Sequence, residues 1–376
     1  MLFVKPSLEF LRVRMHMSRP IKAVLSRRNL LHNVSLIRQQ APRAKLIAMV
    51  KANAYGHGLR SVSKRLESHV DLLGVASIDE ALALRKVGVK TPILLMEGVF
   101  TPHEIKDAAH ENCHVVFHEP QQLAWLQQST QMIKAWLKVD TGMGRLGFSS
   151  QEAEATFNQM AQYHHITQPI RILSHFACAD NPEHPLNQQQ INLFNALRKQ
   201  IKTEYSLCNS GGIFLFPQHH YDFVRPGISL YGASPFTNKT GLELGLQPVM
   251  TLKTKLIAVK QKTKGSFLGY GARFVCPEDM LIGVVAGGYG DGYPSSARDG
   301  TPILVNNIRS SLIGRVSMDL MTVDLRACPA AKAGDPIILW GDGLPIEKVA
   351  AYTNQSAYDL LTGMQNRVQF EWIDEV

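Results

Sequence analysis

The chain has 376 residues, 45% of them hydrophobic and 19% charged, a globular composition that excludes a disordered chain. The length exceeds one ordinary core and suits a large α/β domain with a smaller partner. The net charge of +9 is spread over scattered residues, the densest groups being Arg27–Arg28, Arg43 with Lys45, and Lys260 to Lys264. With no basic tract interleaved with aromatics, these read as solvated faces that attract small anions, and no nucleic acid is expected as partner.

The first sixteen residues mix Lys5, Arg12 and Arg14 with short apolar pieces and lack the continuous apolar region of a secretory signal. Met15 and Met17 are alternatives to Met1 as the true start. From residue 17 to about 247, short apolar runs alternate with helical patterns. The expected strands are 45–51, 72–77, 93–97, 113–118, 135–140, 170–176, 205–209 and 221–225. Their nearly continuous apolar character is that of strands buried on both faces. Amphipathic stretches over 28–40, 78–87, 120–128, 150–163 and 187–202 separate them, with Ser77 and Ser150 as expected caps. Eight such units count out a (β/α)8 TIM-type barrel, with an open doubly wound sheet as the alternative.

From 248 to 376 the texture changes to short alternating runs at 249–260, 281–286, 302–306, 321–325 and 336–340, punctuated by Gly and Pro. These predict a mainly-β domain in which only 347–365 is helical. No run reaches membrane-spanning length, so no membrane is expected. Five widely spaced cysteines without a Cys-x-x-Cys pair point to a reducing compartment, the cytoplasm, and against a disulfide framework or structural zinc. No metal is expected: His164–His165 and His219–His220 are adjacent pairs that share no helix face and read as surface residues.

In a TIM-type barrel the active site lies at the C-terminal strand ends. Those ends carry Lys51, Lys138 with Asp140, His175, Ser210 and Arg225. Lys51 leaves an apolar strand directly into the turn Ala52-Asn-Ala-Tyr55-Gly-His57-Gly58. A partly desolvated amine loses its proton more readily and can attack a carbonyl; the alternative is a solvated strand end. The loops after the seventh and eighth strands, Asn209-Ser210-Gly211-Gly212 and Arg225-Pro226-Gly227-Ile228-Ser229, are where such barrels hold phosphate, although ordinary glycine turns are an equal reading. A lysine beside a phosphate cradle points to pyridoxal 5′-phosphate.

The strings VKANAYGHG (50–58), LKVDTGMGRLG (137–147), SHFACAD (174–180), NSGG (209–212), RPGISLYG (225–232), GGYGDGYP (287–294) and GRVSMD (314–319) closely resemble those of bacterial alanine racemases. The resemblance implies that Lys51 holds pyridoxal 5′-phosphate and serves as the base on one face of the substrate Cα. Tyr289, given by the β domain of the neighbouring subunit of a homodimer, would be the base on the other face. His175 and Arg225 would stand behind that tyrosine, with Arg225 on the pyridine nitrogen. Tyr55, Ser210, Gly227, Ile228 and Tyr358 would hold the phosphate. Arg145 and Met318 would contact the substrate, and Asp180, Arg315 and Asp319 would support the site or its entry. Lys138, N-carboxylated in several relatives and then able to neutralise the neighbourhood of Arg145, could equally be an unmodified lysine in an ion pair with Asp140. The implied activity interconverts L-alanine and D-alanine for peptidoglycan. A broad-specificity racemase, an amino-acid decarboxylase and a non-catalytic pyridoxal-phosphate homeostasis protein are the alternatives. Arg225 argues against the decarboxylase, which carries an acidic residue at the pyridine nitrogen. The end, Asn366-Arg367-Val368-Gln369, departs from relatives that have proline after the valine and is expected to affect packing more than chemistry.

Overall fold

The computed structural model describes residues 19–374; Met1, Met15 and Met17, the alternative starts, lie outside the described residues. Eight parallel strands run Lys45–Met49, Leu72–Val75, Ile93–Leu95, Cys113–Phe117, Ile133–Asp140, Ile166–Leu173, Tyr205–Asn209 and Phe223–Arg225. Each pairs with the next, and the ring closes where Phe223 and Val224 meet Lys45 and Leu46. Closure excludes the open sheet. The period-two alternation of a strand sorts the apolar residues. Ile47 and Met49 join Leu94, Met96, Val116, Trp136, Leu173 and Phe223 in one cluster, while Leu46, Ala48 and Val50 belong to the large core beneath the helices. Both strand faces are thereby dry, which explains the unbroken apolar runs.

The helices Arg27–Gln40, Ile78–Lys86, Pro120–Gln128, Ala153–Ala161 and Pro185–Gln200 form where the amphipathic pattern places them. Their caps differ from expectation. Ser77 occupies the N-cap position of its helix but makes no side-chain cap bond, and Ser150 lies outside the helix it was expected to start, whose N-cap is Glu152. Near the first, the carboxylate of Glu80 takes the backbone N–H of Ala76 and of Ala52, both at 2.8 Å.

The second domain is built on Met250–Lys262, Met280–Ala286, Pro302–Val305, Ile308–Ile313, Leu320–Asp324 and Pro336–Trp340, paired antiparallel into a closed ring. Two further strands flank it. Lys22–Ser26 pairs antiparallel with Met250–Lys253 and parallel with Gln369–Ile373. The segment before the first barrel helix is therefore part of the β sheet, although it falls within the expected barrel range 17–247. Pairing between residues about 230 and 350 positions apart leaves no local signature. The helical segment expected over 347–365 divides into Ile346–Ala350 and Ala357–Thr362. The second begins in a reciprocal cap between Ser356 and Asp359, which ends any continuous helix there.

Of the two histidine pairs, His165 and His220 are buried rather than exposed, each with its Nε2 2.8 Å from a backbone carbonyl, of Leu126 and Ile213. They tie loops to helices. Among the described residues no group of His, Cys, Asp and Glu could hold a metal ion, and no helix is long and apolar enough to cross a membrane.

Candidate active site

The turn after the first barrel strand sets the position of Lys51. Ala52, Asn53, Ala54 and Tyr55 all have positive φ, between 50° and 54°. A left-handed run of side-chain-bearing residues costs about 1–2 kcal/mol per residue, so other contacts must impose it. Glu80 holds the Ala52 N–H, Asn53 Oδ1 accepts the Leu59 N–H at 2.8 Å, and His57 Nδ1 lies 2.8 Å from the Tyr55 carbonyl. His57 is fully buried against Tyr231, ring centroids 4.5 Å apart, and burial lowers its pKa to about 4. The neutral ring donates from Nδ1 to Tyr55, so His57 secures the turn from behind. Gly56 is required because the helix Ala357–Thr362 of the second domain crosses here: a Cβ on Gly56 would lie 1.9 Å from the Leu361 carbonyl oxygen. That approach brings Tyr358 to Tyr55, centroids 6.1 Å apart, while Tyr55 stacks on Tyr231 at 5.0 Å.

The barrel mouth encloses a cavity of about 470 Å³. Its lining brings together ten expected residues: Lys51, Tyr55, Lys138, Arg145, His175, Ser210, Arg225, Gly227, Ile228 and Tyr358. The lining does not include Tyr289, Met318, Asp180, Arg315 or Asp319. Tyr289 and Met318 lie on the second domain and are 44% and 53% exposed. Asp180 is exposed, yet its charge, after burial and Tyr55, helps raise the Tyr358 pKa. Arg315 is exposed, and Asp319 is half-buried in an ion-pair group with Arg367 and Arg19. Asp140 does not serve the mouth: its Oδ1 accepts the backbone N–H groups of Gly142 and Met143, both at 2.8 Å, which shapes its own loop.

Arg225 is 2% exposed and organises the far wall. Its Nη1 donates to Ser206 Oγ at 2.5 Å, and its Nη2 donates to the carbonyls of Ser174 and, at 3.2 Å, Leu207. The same Nη2 lies 3.4 Å from His175 Nδ1. Burial lowers the Arg225 pKa to about 10, which still leaves the guanidinium charged at neutral pH. Its Nε–H is buried and has no partner among the described residues. A buried unpaired donor is costly, and here it belongs to a side chain that lines the cavity.

Below it, the buried Ser210 Oγ accepts the N–H of Gly227 at 2.8 Å and lies 3.0 Å from Ser229 Oγ. Gly227 leaves space that any other residue would fill: its Cβ would stand 2.4 Å from Tyr55 Oη. Together these backbone and hydroxyl groups form a cradle of the kind that receives phosphate oxygens.

The opposite wall is crowded with cations. Lys138 is 6% exposed, and its pKa falls to about 8, first through burial and then through Arg145, Arg225 and Lys51. Glu97 is the carboxylate that opposes them; its Oε1 lies 3.5 Å from Lys51 Nζ. Glu97 is the residue that sequence reasoning missed. It ends the expected third strand segment, 93–97, and the same rule that selected Lys51 and Lys138 at strand ends selects it. Asn209, next to Ser210, also lines the cavity, with Nδ2 3.4 Å from His175 Nε2.

A closed parallel barrel whose mouth gathers an amine, a buried guanidinium and an anion cradle is that of an enzyme handling small charged molecules. The family model for the N-terminal domain of alanine racemase matches residues 25–235, and that for its C-terminal domain matches residues 249–372. A biosynthetic alanine racemase of Escherichia coli is 44% identical over 354 residues, 93% of this chain and 98% of the relative. The solved biosynthetic alanine racemase of Pseudomonas aeruginosa superposes with a TM-score of 0.92 at 38% identity, covering 94% of this chain and 99% of that one. An alanine racemase from Bartonella henselae, solved with covalently bound pyridoxal phosphate, superposes with a TM-score of 0.84 at 27% identity, over 94% and 99% of the two chains. The chain belongs to the alanine racemase family, a family of isomerases.

Proposed function

We propose that this chain interconverts L-alanine and D-alanine with pyridoxal 5′-phosphate held at Lys51, as a cytoplasmic homodimer that supplies D-alanine for peptidoglycan. The observation that carries this reading is the joining of Lys51, the Ser210–Gly227 cradle and Arg225, whose buried Nε–H has no partner among the described residues, in the lining of one cavity. The residues fit the cofactor: the cradle suits its phosphate, and the Arg225 donor suits its ring nitrogen, which is an acceptor. Tyr55, Ile228 and Tyr358 complete the phosphate end. When bound, pyridoxal 5′-phosphate supplies a carbonyl that condenses with amines and a ring that takes up the charge left at Cα when a proton departs.

The protein's own part is proton handling. One base tends to return the proton it removed, whereas two bases on opposed faces invert the centre. Lys51 serves one face. Tyr289 serves the other from a second copy of the chain, because within one chain it does not line the cavity that holds Lys51. Met318 accompanies it, and Arg145 faces the substrate carboxylate. Asp180 and Arg315 flank the entry, with Asp319 as support. Arg225 N–H faces His175 Nδ1, which accepts it, so the single proton of the neutral ring sits on Nε2. His175 in that tautomer donates towards the tyrosine. A permanently charged donor on the ring nitrogen keeps that nitrogen unprotonated and limits side reactions.

The test is circular dichroism of L-alanine with the purified protein and added pyridoxal 5′-phosphate, alongside the visible spectrum. Optical activity should decay to zero, and Lys51→Ala should abolish both the decay and the bound-cofactor absorbance. Turnover by Lys51→Ala would refute the assignment. Mixing inactive Lys51→Ala and Tyr289→Phe chains should restore one intact site per heterodimer; no rescue despite proven exchange would place both bases in one chain.

A further inference from the structure

The turn that carries Tyr289 rests on four charged side chains, of which the proposed reaction otherwise uses only Asp319. Asp291, two residues on, has a side chain with no solvent exposure. Its Oδ2 lies 2.8 Å from Arg19 Nη2 and accepts the Gly288 N–H at 3.0 Å, while its Oδ1 lies 2.7 Å from Arg367 Nε. Arg367 continues through Nη2 to Asp319 Oδ1 at 2.7 Å and to the Met318 carbonyl at 3.2 Å. Arg19 also donates to the Asp319 carbonyl at 3.2 Å. Arginines from opposite ends of the described chain thus grip one carboxylate and one loop.

That loop receives the catalytic turn. Ser317, Met318 and Asp319 accept the backbone N–H groups of Tyr289 at 3.1 Å, Gly290 at 2.9 Å and Gly287 at 2.9 Å. The fit leaves no slack: a Cβ on Gly290 would lie 2.6 Å from Arg367 Nη2, and one on Gly288 would lie 2.2 Å from the Ser317 oxygen. Burying a carboxylate costs several kcal/mol, and a well-packed apolar group often serves stability as well or better. A charged network repays that cost where it fixes a unique geometry, and this one lies under the exposed Tyr289 and Met318.

We propose that Arg367 and Asp291 are positioning residues for Tyr289: their ion pair locks the 287–292 turn to the 317–319 loop, so that the phenol and Met318 are presented to the other subunit as one rigid ledge. This rests on the reading of Tyr289 as the second base. It also gives Arg367 a part in the chemistry, where the sequence alone predicts a packing role for its segment.

A misplacement of about 1 Å costs about 100-fold in rate. In holoenzyme carrying Arg367→Met, solvent deuterium should enter Cα about 100-fold more slowly from the enantiomer that Tyr289 deprotonates, while exchange from the enantiomer served by Lys51 is retained. Arg367→Lys, which keeps a point charge for Asp291 but not the second arm to Asp319, should lie between. Apart from turnover, the amides of residues 287–292 should lose hydrogen-exchange protection in Arg367→Met with the bound-cofactor absorbance unchanged. Equal loss for both enantiomers, or unaltered kinetics and protection, would overturn the proposal. Should Arg367→Met not fold, Arg19→Met removes one Asp291 partner and must show the same asymmetry. Tyr289→Phe is measured in parallel. If it slows both enantiomers equally, the two-base reading fails and takes this proposal with it; if it alone is asymmetric, only the clamp fails.

Discussion

Arg225 Nη2 stands 3.4 Å from His175 Nδ1 while it also donates to the carbonyls of Ser174 and Leu207. The guanidinium is thus shared between the barrel wall and one imidazole, and it holds that imidazole neutral. Burial, then the charges of Arg225, Arg145, Lys138 and Lys51, keep the His175 pKa well below the ordinary histidine range. The expected outcome is that the His175 ring resonances do not titrate between about pH 5 and 8, where an unperturbed histidine changes charge. A titration midpoint near 6.5 in the NMR spectrum would contradict this environment.

Lys138 makes stability depend on pH in a defined direction. Its folded pKa, about 8, lies below the value of about 10.4 in an unfolded chain. Between those values the unfolded state binds more protons, so stability rises as pH increases through that window and is lowest below it. Holding the ammonium in the folded protein costs on the order of 3 kcal/mol. Urea midpoints measured from pH 7 to 10 should show this increment in the natural protein. Lys138→Met should lack it and unfold at higher urea at pH 7.

Gly227 packs directly against the Tyr55 ring, so a substitution there reports on the space between them. Gly227→Ala places a methyl 2.4 Å from Tyr55 Oη, and such overpacking costs about 1–3 kcal/mol. Titration of the apo-protein with pyridoxal 5′-phosphate, followed by absorbance, should give a dissociation constant raised about 10-fold or more. An unchanged constant would place the phosphate elsewhere.

Glu80 ties the left-handed turn after Lys51, through the Ala52 N–H, to the end of the next strand, through the Ala76 N–H. Hydrogen bonds to charged groups contribute about 1.5–3 kcal/mol each. Glu80→Ala should lower stability by about that amount or more, and should relax the turn, seen as faster amide exchange at 52–55. Glu80→Gln keeps one acceptor oxygen and should lose less. Equal behaviour of the two variants would mean that the carboxylate is not what holds the turn.

Much of the barrel follows from sequence alone because its code is local. Apolar runs such as Cys113–Phe117 are buried throughout, and a strand end places a residue such as Lys51 or Lys138 where it can face the mouth, although Asp140 shapes its own loop instead. Glu97 obeys the same rule and was legible there. The second domain is less so. Ile308–Ile313 is half polar, and Lys22–Ser26 finds its partners at residues 250–253 and 369–373, so neither announces its sheet in its own pattern.

What the sequence determined by itself is the set of chemical groups: a lysine at the first strand end, cradle loops after the seventh and eighth, and a tyrosine in a glycine-rich turn. The tertiary structure alone decided how they meet. The helix carrying Tyr358 crosses Gly56 at backbone distance, Glu80 reaches from another unit to hold the turn of Lys51, and Asp291 joins Arg19 to Arg367. Those contacts link segments tens to hundreds of residues apart. Such charge pairs and close approaches depend on distance in space, which periodicity along the chain does not encode.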